Sequence, residues 1–303
     1  MQVFEPCIFF ITLKKNIYMN TLSEFESDDI LYHYTKTTTA LEHILFKKEL
    51  RLSDRVNSND PIENMTTPTL IKVESLENET YDNWDKYGKE IEKKMKQIKQ
   101  VCFCMNAKSI RYKKMNNKPA EFYGCMKPRM WEQYGNNYNG VCLILSKAEL
   151  LKQLDKGYKY KKVKYVNYDD LKNKKIEIDS NDLRDSYYTS CLEKVNRQID
   201  KYIFHKHKDY VGENEYRIRA YSDEDLYINI KSALKGILVS NKNSEYFVNK
   251  LLEYAEECKF NVFKISWASN GADPINLIER IELKKENDRI ANELKKRMSM
   301  EQK

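Results

Sequence analysis

Glycine and proline are scarce in this chain, 8 and 6 residues out of 303, and no glycine-rich segment is spaced to cradle a phosphate. The seven cysteines are odd in number and include no Cys-x-x-Cys pair. That pattern reads as reduced thiols in a cytoplasmic protein rather than a disulfide scaffold. Cys102 and Cys104 stand two apart on an expected strand and face the same way, but no second ligand pair lies nearby, so they read as core and not as a zinc site. No apolar run approaches the ~20 residues that a membrane-spanning helix needs. The run at 7–13 (CIFFITL) has the character of a short signal core, yet no basic residues precede it and no small-residue cleavage site follows. Residues 1–29 are read as an N-terminal extension, with Met19 an equally good start and a strand docked on the body as the alternative. Internal repeats and low-complexity blocks are lacking too.

What is present is globular. Hydrophobic residues make up 41% and aromatics 12%, with 22 tyrosines, and the length suffices for one large domain or two ordinary ones. The formal charge of +7 is diluted over the chain, so it permits a polyanionic partner without demanding one. Short aromatic or β-branched runs predict strands at 30–35 (ILYHYT), 50–53 (LRLS), 101–105 (VCFCM), 141–145 (VCLIL), 158–166, 226–230, 236–240 and 262–266. Apolar spacing predicts helices at 81–100, 126–135, around 148–154, at 183–202 and around 248–255, with threonines capping one whose apolar face is Ala40, Leu41, Ile44 and Leu45. The tail from Glu282 is charged and reads as a solvated helix. Strands and helices mix without a strict βαβ rhythm, which predicts an α+β class with one mixed sheet and peripheral helices. The expected organisation is one domain over 30–267 and an appended tail over 268–303.

The chemistry concentrates in 204–221, FHKHKDYVGENEYRIRAY. From Glu215 the pattern alternates, with Glu215, Arg217 and Arg219 on one parity and Tyr216, Ile218 and Ala220 on the other, as in a strand with one face in the core. An early strand start would add Glu213 to the polar side. Two carboxylates beside guanidiniums suit acid/base or cation-stabilising chemistry. An exposed strand face laced with Glu–Arg pairs explains the same letters. Upstream, YKYKKVKYV at 158–166 interleaves lysine and tyrosine, as strands that bind nucleic acid do, though an edge strand blunted by lysines is the simpler account. The loop carrying Asn57, Asn59, Asp60, Pro61 and Glu63 has turn chemistry.

Four separated pieces, LYHYT at 31–35, NDP-x-E at 59–63, MW-x-x-YG at 130–135 with Gly140, and E-x-E-x-R at 213–217, together resemble a bacterial family labelled a domain of unknown function. The chain departs from it where Tyr138 and Asn139 replace a frequent histidine. The layout is similar to the His–Tyr–Glu plan of the ADP-ribosyltransferase superfamily. That resemblance implies NAD as substrate, with His33 and Tyr134 binding it and Glu215 serving the ribose; charge chemistry adds Glu213 as a second catalytic carboxylate, and Arg51 and Arg217, with Tyr34, on the cofactor side, with no metal. It implies an NAD-dependent transferase or glycohydrolase in bacterial defence against phage, with a protein or nucleic-acid acceptor and no membrane partner. Cleaving the nicotinamide–ribose bond builds positive charge on the sugar, which a preplaced carboxylate stabilises. His33 as a structural histidine and Trp131 with Tyr134 as core stand beside these assignments. So does a metal-dependent nuclease site made of Asp60, Glu63, Glu213 and Glu215, although no lysine follows the Glu pair at a nuclease spacing. A non-enzymatic nucleotide-sensing module is the third class.

Overall fold

A computed structural model of the chain describes residues 22–58, 60–64, 71–73, 81–108, 112, 115, 118–172, 176–178, 193, 195–197, 199, 202–268 and 271–301. The run at 7–13 and the 183–192 part of the expected long helix lie outside the described residues. The class is α+β, with mixed sheet and peripheral helices. The chain divides into two compact units, one made of Met1–Ala40, Asn106–Ser146 and Leu234–Lys303, the other of Leu41–Met105 and Lys147–Ala233.

In the first unit the strands Ile30–Thr35, Val141–Ser146, Leu234–Ser240, Asn261–Ala268 and Gly271–Asn276 lie side by side in that order. Every residue of Val141–Ser146 is buried, which accounts for its unbroken apolar sequence: a strand covered on both faces has no polar side to alternate with. Leu234–Ser240 and Asn261–Ala268 run parallel, and the Glu245–Cys258 helix makes the crossover that parallel neighbours require. That helix is capped where Ser244 accepts the Phe247 amide at 3.3 Å, and it stops at Lys259 in the left-handed region, φ 61°. Phe247, Val248, Leu251 and Ala255 are buried, while Leu252 is half-exposed. The strand Gly271–Asn276 was not expected; Pro274, Asp273 and Gly271 suppress its β signal, and such residues are tolerated at a sheet margin. The charged tail is helical, Leu277–Glu301.

In the second unit Leu226–Asn229, Glu49–Asp54, Ile98–Met105, Glu215–Tyr221 and Lys159–Lys162 neighbour one another in that order, antiparallel throughout. The helix expected to reach residue 100 covers only Tyr81–Lys96, and Ile98 opens the next strand. Ile98 fits the helical period beside Met95, but it also extends the apolar VCFCM run, and pairing with Tyr221 wins. The expected 158–166 strand breaks in two at Val163, whose side chain is buried between exposed lysines and whose amide donates to the Glu215 carbonyl at 3.0 Å. The second piece, Lys164–Val166, pairs in parallel with His205–His207. The threonines do not cap their helix. Thr37–Thr39 form its first turn after Lys36, which makes no side-chain cap, and a wider turn over Ala40–Leu45 follows.

Candidate functional site: a buried chain of ion pairs

The strand Glu215–Tyr221 keeps the predicted parity, but the charged side is not exposed. Glu215, Arg217 and Arg219 are 3, 0 and 1% accessible. Alternation assigns residues to a common side without saying what covers it. Here the cover includes the residues just ahead of His205: the Ile203 carbonyl accepts from Arg217 Nη1 at 2.6 Å, and the Arg219 guanidinium lies 5.8 Å from the Phe204 ring. The early strand start also fails. Glu213 ends a 3-10 helix, Lys208–Glu213, and Asn214 turns the chain through φ 47°. Glu213 nonetheless joins Glu215 through a third residue.

That residue is Lys206. Its ammonium donates to Glu213 Oε2 at 2.9 Å and lies 3.7 Å from Glu215 Oε2. Glu215 Oε1 accepts from Arg217 Nε at 2.6 Å, and Arg217 Nη2 donates to Glu63. Ser58 closes the series with a hydroxyl donated to Glu63 Oε2 at 2.8 Å. Three carboxylates thus alternate with two cations along one buried line. Burial alone pushes the Glu63 carboxyl up, but Arg217 and Lys206 outweigh it and hold the group down at about 2. Arg217 is held charged against its own burial by Glu215 and Glu63. Burial, with the carboxylates of Glu215 and Glu63 beside it, pushes the Cys102 thiol well up, so Cys102 is no thiolate nucleophile. The Glu215 amide donates to the phenol oxygen of Tyr165 at 2.9 Å, fixing the strand start.

Local sequence explains how Glu63 arrives. Asp60 Oδ1 accepts the Ile62 amide at 2.9 Å, and the Asp60 carbonyl accepts the amides of Glu63 and Asn64 at 3.0 and 3.1 Å. The turn chemistry read from the sequence is therefore correct, and its product is a carboxylate aimed inward. Glu63, Lys206 and Arg217 then form one side of a small recess, with Arg55, Asp60, Tyr202, His205 and His207 around it. The enclosed space is about 10 Å³, on the order of one water molecule. Asp60 is 4% accessible, and its Oδ2 accepts no hydrogen bond among the described residues. An acceptor of that kind favours a ligand group that donates, because a buried carboxylate oxygen left unmatched is costly. Beside it His207 accepts the Asp209 amide at 3.4 Å and stacks on Tyr168 at 3.9 Å. Among the described residues no three His, Cys, Asp or Glu side chains are grouped as metal ligands.

The remaining expected site residues fall elsewhere. Arg51 is exposed at the sheet margin and pairs with Asp225 at 3.6 Å. His33, Tyr34 and Tyr134 belong to the first unit. His33 is half-buried opposite Leu143. The Tyr34 hydroxyl donates to the Gly124 carbonyl at 2.8 Å and its ring meets Trp131 edge-on at 5.4 Å. Trp131 is fully buried with its indole N–H on the Cys125 carbonyl, as the core account expects, whereas Tyr134 is half-buried at the helix end. The glycines of MW-x-x-YG are steric: a Cβ on Gly135 would sit 2.7 Å from the Trp131 carbonyl oxygen, and one on Gly140 would run into that of Thr35. Between them Asn136, Asn137 and Tyr138 all have positive φ, 50, 50 and 69°. Lys206, Tyr165, Arg55 and Tyr202 were not singled out from sequence. Lys206 and Tyr165 stand in basic, aromatic runs with bland explanations, Tyr202 is an apolar-face position of the expected 183–202 helix, and Arg55 in SDRVNSN carries no signal.

The fold and this cluster define an α+β protein with a buried carboxylate–cation line beside a donor-seeking recess. The model of the family described as a protein of unknown function (DUF2971) matches residues 130–218, a span that takes in the MW-x-x-YG and E-x-E-x-R pieces. No curated protein and no solved structure matches the chain. No described helix is long and apolar enough to cross a membrane.

Proposed function

We propose that the chain cleaves the nicotinamide–ribose bond of NAD, as an ADP-ribosyltransferase-like enzyme or an NAD glycohydrolase, with Glu215 as the carboxylate that serves the sugar. The single observation that carries this is the charge count along the buried line, three carboxylates to two cations. As the bond breaks, its electron pair leaves with the nicotinamide nitrogen and positive charge develops on the ribose. A surplus of fixed negative charge in a dry site stabilises that cation without reorganising. Arg217 orients Glu215 through its Nε–H bond, and Glu213, tied to the same lysine, receives the proton of the attacking hydroxyl. A recess the size of one water beside the open acceptor of Asp60 suits a single ribose hydroxyl. On resemblance, His33, Tyr34, Tyr134 and Arg51 serve NAD binding, a role in bacterial defence follows, and the acceptor is a protein or nucleic acid. The direct test is nicotinamide release by the full chain, with and without acceptor lysates, beside Glu215→Gln. Silence of the wild type under every condition sinks the proposal.

A second reading, metal-dependent nucleic-acid hydrolysis, has one observation for it, although no three-ligand group stands among the described residues. The lysine lacking after the Glu pair is supplied from before it, because Lys206 sits at Glu213 while Asp60 and Glu63 face the same recess. Cleavage of DNA or RNA that stops on adding a chelator and returns with Mg²⁺ would select it over the NAD chemistry.

A further inference from the structure

The lysine–tyrosine run ahead of the cluster lies where an extended polyanion can reach it. Lys159–Lys162 is paired to Glu215–Tyr221, and all four of its residues are exposed. The register sets Lys159 opposite Arg219 and Lys161 opposite Arg217, so these two lysines share the sheet side that carries the ion pairs. Lys164 then stands opposite His205, one of the recess residues. Lys159, Lys162 and Lys164 have no ion-pair partner among the described residues. Two rings stand exposed on the run: Tyr160, opposite Ile218 and so on the other side of the sheet from Lys159 and Lys161, is 44% accessible, and Tyr168, stacked on His207, is 56% accessible.

Blunting an edge strand needs charge but no exposed rings. Lysines alternating with outward tyrosines supply both halves of single-strand recognition, cations for phosphates and ring faces for bases. Alternate lysines on a strand are about 6.6 Å apart, close to the interval between phosphates of an extended single strand. An anionic membrane would call for a broad apolar face, which this narrow stripe lacks. We infer that the 159–166 edge is a docking surface for single-stranded nucleic acid, running its phosphates over the lysines and a base against Tyr168 toward the Glu215 cluster. It rests on the proposed function only in making that strand the acceptor of ADP-ribose.

The experiment is fluorescence anisotropy of the full chain with labelled single-stranded RNA and DNA 20-mers, across a salt series and without NAD. The expected result is saturable binding, tighter than to a duplex of the same length, whose log affinity falls linearly with log salt. Replacing Lys159, Lys161, Lys162 and Lys164 by glutamine should weaken binding roughly tenfold or more and flatten the slope by about 3, at ~0.7 per phosphate contact. Tyr168→Ala should weaken binding roughly tenfold with the slope unchanged, and it serves alone should the fourfold variant melt early. No saturable binding at low salt, an unchanged slope in a folded fourfold variant, or tighter binding to phosphatidylserine vesicles would overturn the inference. Because turnover is not measured, such a failure leaves the Glu215 assignment standing, and absent nicotinamide release leaves the docking surface standing.

Discussion

The ammonium of Lys206 lies 2.9 Å from Glu213 and both side chains are 4% accessible. A buried pair of this kind gains little over apolar packing, but removing one partner strands the other. Lys206→Met should therefore lower unfolding stability by about 3–5 kcal/mol in urea denaturation. Adding Glu213→Leu should recover part of that loss, the coupling that a double-mutant cycle reads. Additive losses would mean that the two residues do not act as a pair.

Glu215→Gln keeps shape and loses charge. Nicotinamide release should fall roughly a hundredfold or more with little change in KM. Glu213→Gln should spare slow NAD hydrolysis and reduce transfer to an acceptor, and His33→Ala should chiefly raise KM. Melting curves recorded alongside separate lost chemistry from lost folding, since all three charges of the Glu215–Arg217–Lys206 group are buried.

The depressed Glu63 carboxyl makes an acid-stability prediction. Its ordinary value is 4.5 and the fold holds it at about 2. The native state thus binds its proton later than the unfolded chain does. The stabilisation is complete above pH 4.5 and is lost as pH falls toward 2, a contribution on the order of 3 kcal/mol. Glu63→Gln should be less stable at neutral pH and show a shallower decline over that window, measured by denaturation midpoints at several pH values.

Gly140→Ala probes the motif glycine. The added methyl meets the Thr35 carbonyl oxygen, backbone that cannot rotate away. A loss of about 1–3 kcal/mol is expected, typical of overpacking. Gly212→Ala, where nothing lies within 4 Å, is the control and should change stability far less.

Much of this was legible in the residues. Val141–Ser146 declares a doubly covered strand by its apolar run, and Glu215–Tyr221 declares its two sides by alternation. The burial of Glu215, Arg217 and Arg219 was not legible, because composition alone marks a charged side as solvated and the covering Ile203 and Phe204 lie on another element. Lys206 was hidden for a similar reason: in FHKHKDY it reads as one lysine among several, and only the pairing of His205–His207 with Lys164–Val166 singles it out. Glu63 was visible as part of a turn whose direction only the hydrogen bonds of Asp60 define.

Neither unit is a continuous stretch of sequence. The backbone passes from one to the other after Ala40, Met105, Ser146 and Ala233. During synthesis the second unit therefore completes first, once Ala233 has emerged, while the first waits for Leu234 onward with the inner edge of Val141–Ser146 unpaired on that side. Every residue of that strand is buried, and an uncovered apolar edge is a template for pairing with another chain. A nascent chain arrested near residue 234 should thus recruit chaperones or aggregate through its first unit.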